Sequence, residues 1–383
     1  MSQVNRIYLP NLNSLRGIAA LMVIFSHLPA DKFILTFKNF GTIGVTIFFT
    51  LSGFLISYLL QVEAKEFFTI NVKNFYLRRI LKIWPLYFLI LFFVYILYPH
   101  IFPSWYDTEQ ERFSAKSLLM NIFFLTNVTL ILKLTPFIIR VIWSIGIEEQ
   151  FYLILPWIMK VEEKRRIFIL FALIFLLPFS KLFLVLYQKI TASDSLQIIS
   201  SIITVTRFDC MAIGVLFGIL SFSKEIKLGR FIIKQQYFTK KEVQITIYAL
   251  ALIFVLITII VPSLFNIINY VVLPWLFAII ISNLATNKES IFHIENKVFN
   301  YLGKISYGMY LLHEFVILML LPLILPLILP YLVDLPSYIK SFIGYMIAFG
   351  LTIIISHISF YCFEIQFLKL KNKVSYFKTS NEY

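Results

Sequence analysis

Arg16 and His27 stand near the two ends of an otherwise apolar stretch, Asn13 to Pro29, that reads NSLRGIAALMVIFSHLP. On an α-helix they are separated by three turns plus about 20° and by about 16 Å along the axis, so they share one face. Both side chains are costly to place among lipid tails, and on one face of a membrane helix they point to a functional path. Glu148, in Trp143-Ser144-Ile145-Gly146-Ile147-Glu148-Glu149-Gln150, enters a later apolar segment within its first two turns. Beside His27 its carboxylate would hold the imidazole tautomer and raise its basicity, as a general base needs in order to take a proton from a hydroxyl. The residues alone support equally a His27 that caps or snorkels at an interface, with Glu148 and Glu149 merely outside.

Arg78, Arg79 and Lys82 gather in RRILKIWP, with Arg79 and Lys82 at i and i+3 on one helix face. Guanidinium binds phosphate bidentately, so the cluster suits a phosphate-rich ligand. The commoner reason for basic residues at a helix end is membrane topology. Arg207 falls near the middle of an apolar segment, where insertion costs about 2.5 to 3.5 kcal/mol. It is either functional or salt-bridged to a neighbouring helix, and Asp209, two residues on, need not be its partner. His313 lies about 12 Å into its own segment and reads as either a hydrogen-bonded core histidine or a catalytic one. His357 and Glu364 carry a weaker signal, and His100 and His293 fall in loops. Cys210 and Cys362 lie in apolar segments, which excludes a disulfide framework, and no metal-ligand spacing occurs.

The elements that must position these residues are membrane helices. The chain is 60% hydrophobic and 14% charged, with 41 Phe and a mean hydropathy of +0.85, which a soluble domain does not show. The expected fold is an all-α integral membrane protein of about ten transmembrane helices, at 13–29, 41–61, 83–99, 143–159, 167–187, 197–221, 243–261, 264–284, 305–325 and 338–362. Residues 117–132 are left out of that set, as a segment lying against the bundle or dipping into it. This assignment sends 24 of the 34 Lys and Arg residues to one side, which makes both termini cytoplasmic. The same charge placement explains the net charge of +14 without nucleic acid. Residues 1–370 form the transmembrane domain and 371–383 a short basic cytoplasmic tail. The first span has no cleavage site after it and reads as uncleaved. Pro322, Pro326 and Pro330 are expected to break or bend the ninth span.

Six blocks now stand in order: LRGIAALMVIFSH around Arg16 and His27, GVTIFFTLSGFLIS at Gly44 to Ser57, RRILKIWP at Arg78 to Pro85, WSIGIEEQFYLILP at Trp143 to Pro156, RFDCMAIG at Arg207 to Gly214 and LGKISYGMYLLH at Leu302 to His313. Together they resemble the bacterial membrane-bound acyltransferase family 3, the O-antigen, peptidoglycan and exopolysaccharide O-acyltransferases. The resemblance covers nearly the whole chain. It departs at Lys82, where the family usually has Arg, and at Phe363-Glu364-Ile365-Gln366-Phe367, where the family usually has a Pro after the Glu and one further residue. No hydrolase-like domain of the kind some members append is seen, so transfer is expected to finish in the membrane domain or on a partner.

The resemblance implies a multi-pass O-acyltransferase of the bacterial cytoplasmic (inner) membrane. An acyl-CoA, typically acetyl-CoA, would bind from the cytoplasm with its phosphates near Arg16, Arg78, Arg79 and Lys82. No metal is called for. His27 with Glu148 would activate a glycan hydroxyl or carry the acyl group transiently. Arg207 is expected to bind or position the donor, and Ser306, Tyr307 and His313 to position the substrate or transition state. Two other classes are open: a transporter or flippase of an anionic or acylated glycan precursor, for which a midplane Arg207 would serve equally, and an assembly subunit, which leaves the aligned charged residues unexplained.

Overall fold

The computed structural model of the chain describes residues 6–29, 32–103, 110–191, 194–228, 230–374 and 378–379. Within the expected tail, 375–377 and 380–383 lie outside the described residues, as does 104–109 of the long segment after the third span. Apolar periodicity becomes helix throughout. First come α1 (Leu12–His27), α2 (Phe40–Phe67), α3 (Val72–Ile101) and a short pair, α4 (Ala115–Ile122) and α5 (Thr126–Ile131). They are followed by α6 (Ile142–Lys160), α7 (Glu163–Thr191), α8 (Asp194–Val205) and α9 (Phe208–Ser223). The bundle is completed by α10 (Lys241–Ile260), α11 (Pro262–Thr286), α12 (Lys297–Ile328) and α13 (Ser337–Lys373).

Among the described residues, seven helical stretches are long and apolar enough to cross a membrane by length and composition. α1 is apolar but shorter, at 16 residues. Strand is confined, among the described residues, to two small pairs. β1 (Arg6–Ile7) runs parallel to β4 (Lys378–Thr379), and β2 (Glu225–Leu228) is antiparallel to β3 (Phe231–Lys234).

Small residues let the central helices approach closely. On α9, Gly214 and Gly218 form a G-x-x-x-G face, and a Cβ on either would collide with α2, at the Thr50 carbonyl or the Ser57 hydroxyl. Gly53 of α2 meets the Met211 carbonyl in the same way. Between membrane helices, such van der Waals contact stands in for the hydrophobic drive that lipid cannot supply. α1 seats against α12 at Gly303, where a Cβ would strike the Asn13 carbonyl. Asn11 fixes the entry to α1: its side chain donates to the Leu284 carbonyl at 2.9 Å and accepts from the amides of Ile294 and Glu295.

The sixth expected span, 197–221, falls within the apolar stretch Ser195–Ser223, which the structure interrupts at Thr206 and Arg207, between α8 and α9. Arg207 is 1% exposed. Its guanidinium donates to Thr46 Oγ1 and to the Asn269 carbonyl, both at 3.3 Å, and lies 4.4 Å from the Tyr270 ring centroid. The break turns the charge inward to these partners, which a continuous helix in lipid would have to desolvate without them. Asp209 pairs with Lys181 of α7 at 3.2 Å instead.

Residues 117–132 fold as the pair α4 and α5, of 8 and 6 residues, about 12 and 9 Å long. Neither crosses a layer of about 30 Å. Polar partners satisfy the non-helical backbone and side chains here, as burial away from water requires. Tyr87 donates to the Asn121 carbonyl at 2.6 Å, Asn121 Nδ2 donates to Tyr95 at 2.8 Å, and Thr129 donates to Asn121 Oδ1 at 2.9 Å. Gln150 of α6 donates to the Phe124 carbonyl at the turn. The prolines of the ninth span act at its end: α12 opens into a π turn at Val316–Leu320, runs through Pro322 and Pro326, and gives way to a 3₁₀ turn at Leu329–Leu332.

Candidate active site

α1, α2, α3, α6, α12 and the end of α13 enclose a cleft of about 1970 Å³, its open mouth included. Its cationic lining is Arg16, Arg78, Arg79, Lys82, Lys304 and Lys371, against two carboxylates, Glu63 and Glu148. Four of these cations are ones that sequence reasoning selects. They reach one space because α3 carries RRILK along a single wall while Arg16 of α1 faces it. Arg78 is tied to Glu63 at 2.7 Å, and Glu63 also accepts the Asn71 amide at 2.9 Å. Arg79 lies 5.7 Å from the ring centroids of both Phe75 and Tyr152, a cation–π position that holds the guanidinium in place.

Deeper in the cleft, Glu148 accepts from Ser52 at 3.1 Å and from Tyr152 at 2.8 Å. Glu149 is turned aside to Trp84, which donates to it at 2.8 Å. Ser306 and Tyr307 also line the cleft. Their hydroxyls are engaged with backbone, Ser306 donating to the Gly303 carbonyl and Tyr307 to the Ile83 carbonyl. The floor is made by Tyr310 and Ser144, whose hydroxyls are 2.6 Å apart.

His27 lies beyond this floor. Its Nδ1 is 2.8 Å from the Val23 carbonyl and 3.1 Å from Ser26 Oγ. A carbonyl can only accept, so Nδ1 carries a proton, and in the neutral imidazole Nε2 is then the basic atom. Nε2 is 3.7 Å from Glu314 Oε1, on a side chain 34% exposed for His27 and 3% for Glu314. Glu314 is held by the Val141 amide at 3.4 Å and by Arg140 at 3.9 Å. His313 stacks edge-on to His27 with ring centroids 4.9 Å apart. Its Nδ1 donates to the Tyr310 carbonyl at 2.8 Å, and its buried Nε2 has no hydrogen-bond partner.

The expected pairing of His27 with Glu148 is therefore replaced by His27 with Glu314. Glu148 lies six residues, about 9 Å, inside α6, whereas His27 is the last residue of α1. Glu148 shares a helix face with Ser144, four residues away, and that face belongs to the cleft. Arg207 does not line the cleft; it is engaged with Thr46 of α2 and with Asn269 and Tyr270 of α11. Residue reasoning missed Glu314, Arg140, Tyr310, Ser52, Lys304 and Lys371. The signal for Glu314 was present as a charge inside an apolar run, directly after His313. Among the described residues, no group of three or more His, Cys, Asp or Glu could hold a metal ion.

The site is thus a basic cleft, backed by a histidine and a carboxylate and set among apolar helices. The family model described as an acyltransferase domain matches residues 9–361, and the chain belongs to this membrane-bound acyltransferase family 3. It is 32% identical over 162 residues to a putative peptidoglycan O-acetyltransferase, YrhL, of Bacillus subtilis, covering 40% of this chain and 24% of that one. Over 163 residues it is 28% identical to the peptidoglycan O-acetyltransferase OatA of Listeria monocytogenes, covering 40% of this chain and 25% of that one. A putative acetyltransferase of Acidianus two-tailed virus is 30% identical over 169 residues, which cover 44% of this chain and 46% of that one. The chain thus spans about a quarter of the length of the two bacterial relatives and about half of the viral one. No solved structure matches.

Proposed function

We propose that this protein is an O-acetyltransferase that takes an acyl group from acyl-CoA in the basic cleft and delivers it to a glycan hydroxyl beside His27 and Glu314. The observation that carries the reading is the thin partition between the two sites. Tyr310 and Ser144 close the cleft on one side, and His313, one turn along α12, faces His27 on the other.

In this reading Arg16, Arg79 and Lys82 hold the donor phosphates, and Ser52, Glu148 and Tyr152 border the path of the acyl arm. The acyl carbonyl is brought past Tyr310 towards His27. The acceptor hydroxyl oxygen forms the new C–O bond while its proton passes to His27 Nε2, the C–S bond breaks, and the thiolate takes up the proton. Glu314, 3.7 Å from Nε2, stabilises the imidazolium formed in between. A second route has His27 as the first acceptor, with the acyl group moving from Nε2 to the hydroxyl; the same residues serve both routes. Ten spans, with the basic end of the cleft at the cytoplasm and His27 towards the opposite face, complete the proposed arrangement in the bacterial inner membrane.

The test is purified protein in detergent with acetyl-CoA and a glycan mixture, following free thiol and glycan-bound acetyl. His27→Ala should lower both by about 10² to 10⁴-fold while CoA binding persists. Transfer at the normal rate in His27→Ala would overturn the assignment. A wild-type protein that neither binds CoA nor releases thiol would favour a transporter of an anionic glycan precursor.

A further inference from the structure

Both ends of the described chain meet at the mouth of the cleft. Ile7 and Leu9 line it from one side, and Leu368 and Lys371 from the other. β1, which contains Ile7, pairs with β4 a few residues beyond Lys371. Leu368 and Lys371 fall outside the residues 9–361 that the family model matches, and Lys371 begins the basic stretch that the sequence sets apart as a tail. Lys371 is nonetheless 6% exposed, an unusual degree of burial for a lysine.

The cations are spread along the cleft. Lys304 sits beside Phe360, its ammonium 5.4 Å from that ring and 3.3 Å from the Tyr361 hydroxyl. Lys371 lies eleven residues past Phe360 on the same helix, about 16 Å further along the axis. Phe360, Leu368 and Lys371 all border the cleft, so its charge is laid out along its length. A compact anion would engage one end only. An elongated ligand with phosphate at two separated places matches the spacing.

Resting on the acyl-CoA reading, we propose that Lys371 binds the ribose 3′-phosphate of the donor, while the cations deeper in the cleft bind its diphosphate. The C-terminal end of α13 is thereby part of the donor site, held there by the β1–β4 pair. An ammonium facing a dianionic phosphate forms a charge-assisted bond of the stronger kind, and the site selects CoA over nucleotides that lack this group.

The experiment measures binding of CoA and of 3′-dephospho-CoA to the purified full chain by calorimetry. Wild type should bind CoA about tenfold more tightly than dephospho-CoA. Lys371→Gln should remove that difference by weakening CoA alone, and Lys371→Arg should restore it. Unchanged dephospho-CoA binding by Lys371→Gln shows that the variant is folded. Equal binding of both ligands by wild type, or equal weakening of both by Lys371→Gln, would overturn the proposal while leaving the acyl-CoA reading intact. Failure of wild type to bind either ligand would overturn both.

Discussion

At the scale of single residues, His27 is prepared by its own helix. The Val23 carbonyl one turn back accepts a hydrogen bond from Nδ1, so that in the neutral imidazole Nε2 is the basic atom. Glu314 stands in front of it, and its charge acts on Nε2 rather than on the usual orienting nitrogen. Glu314→Gln keeps the shape and removes the charge. It is expected to lower kcat on the order of a hundredfold with donor affinity unchanged, read as a split between kcat and CoA binding, and an unchanged kcat would show the carboxylate to be structural. Arg16, Arg79 and Lys82 could be singled out from residue type and spacing, and the structure brings them to one cleft. Glu314 was not, because a carboxylate finds its partner through the crossing of α1 and α12, and sequence spacing carries no information on that crossing.

Among the elements, the apolar runs were legible at nearly every helix, since a span of membrane length announces itself by composition. What composition could not show was the break before α9. Arg207 is accommodated by Thr46, Asn269 and Tyr270, residues 62 to 161 positions away in the chain, so the need for a break is visible only once those helices are assembled. The glycine contacts are of the same kind. Gly303→Ala and Gly214→Ala each place a methyl group into a backbone carbonyl of the facing helix, and each is expected to destabilise by about 1 to 3 kcal/mol. Thermal unfolding in detergent should show a lowered midpoint for both. Gly350, whose Cβ would meet nothing within 4 Å, supplies the control, and Gly350→Ala should leave the midpoint in place.

For the whole molecule, the cleft and the histidine cluster are two compartments of one bundle, and the backbone of a single residue touches both. The Val141 carbonyl accepts from the Tyr310 hydroxyl at 3.2 Å, while the Val141 amide donates to Glu314 at 3.4 Å. In the proposed reading, donor and acceptor would both border the backbone of Val141, the residue before α6. Thermodynamic linkage then makes any influence mutual: whatever factor a bound glycan applies to the affinity for CoA, bound CoA must apply to the affinity for the glycan. Calorimetric titration of each ligand with and without saturating amounts of the other should return one common factor different from unity, and a factor of one would mean that the compartments are energetically independent. A residue with an aliphatic side chain and no reactive group would then be the hinge of an ordered two-substrate cycle, in which the first arrival determines how readily the second is received.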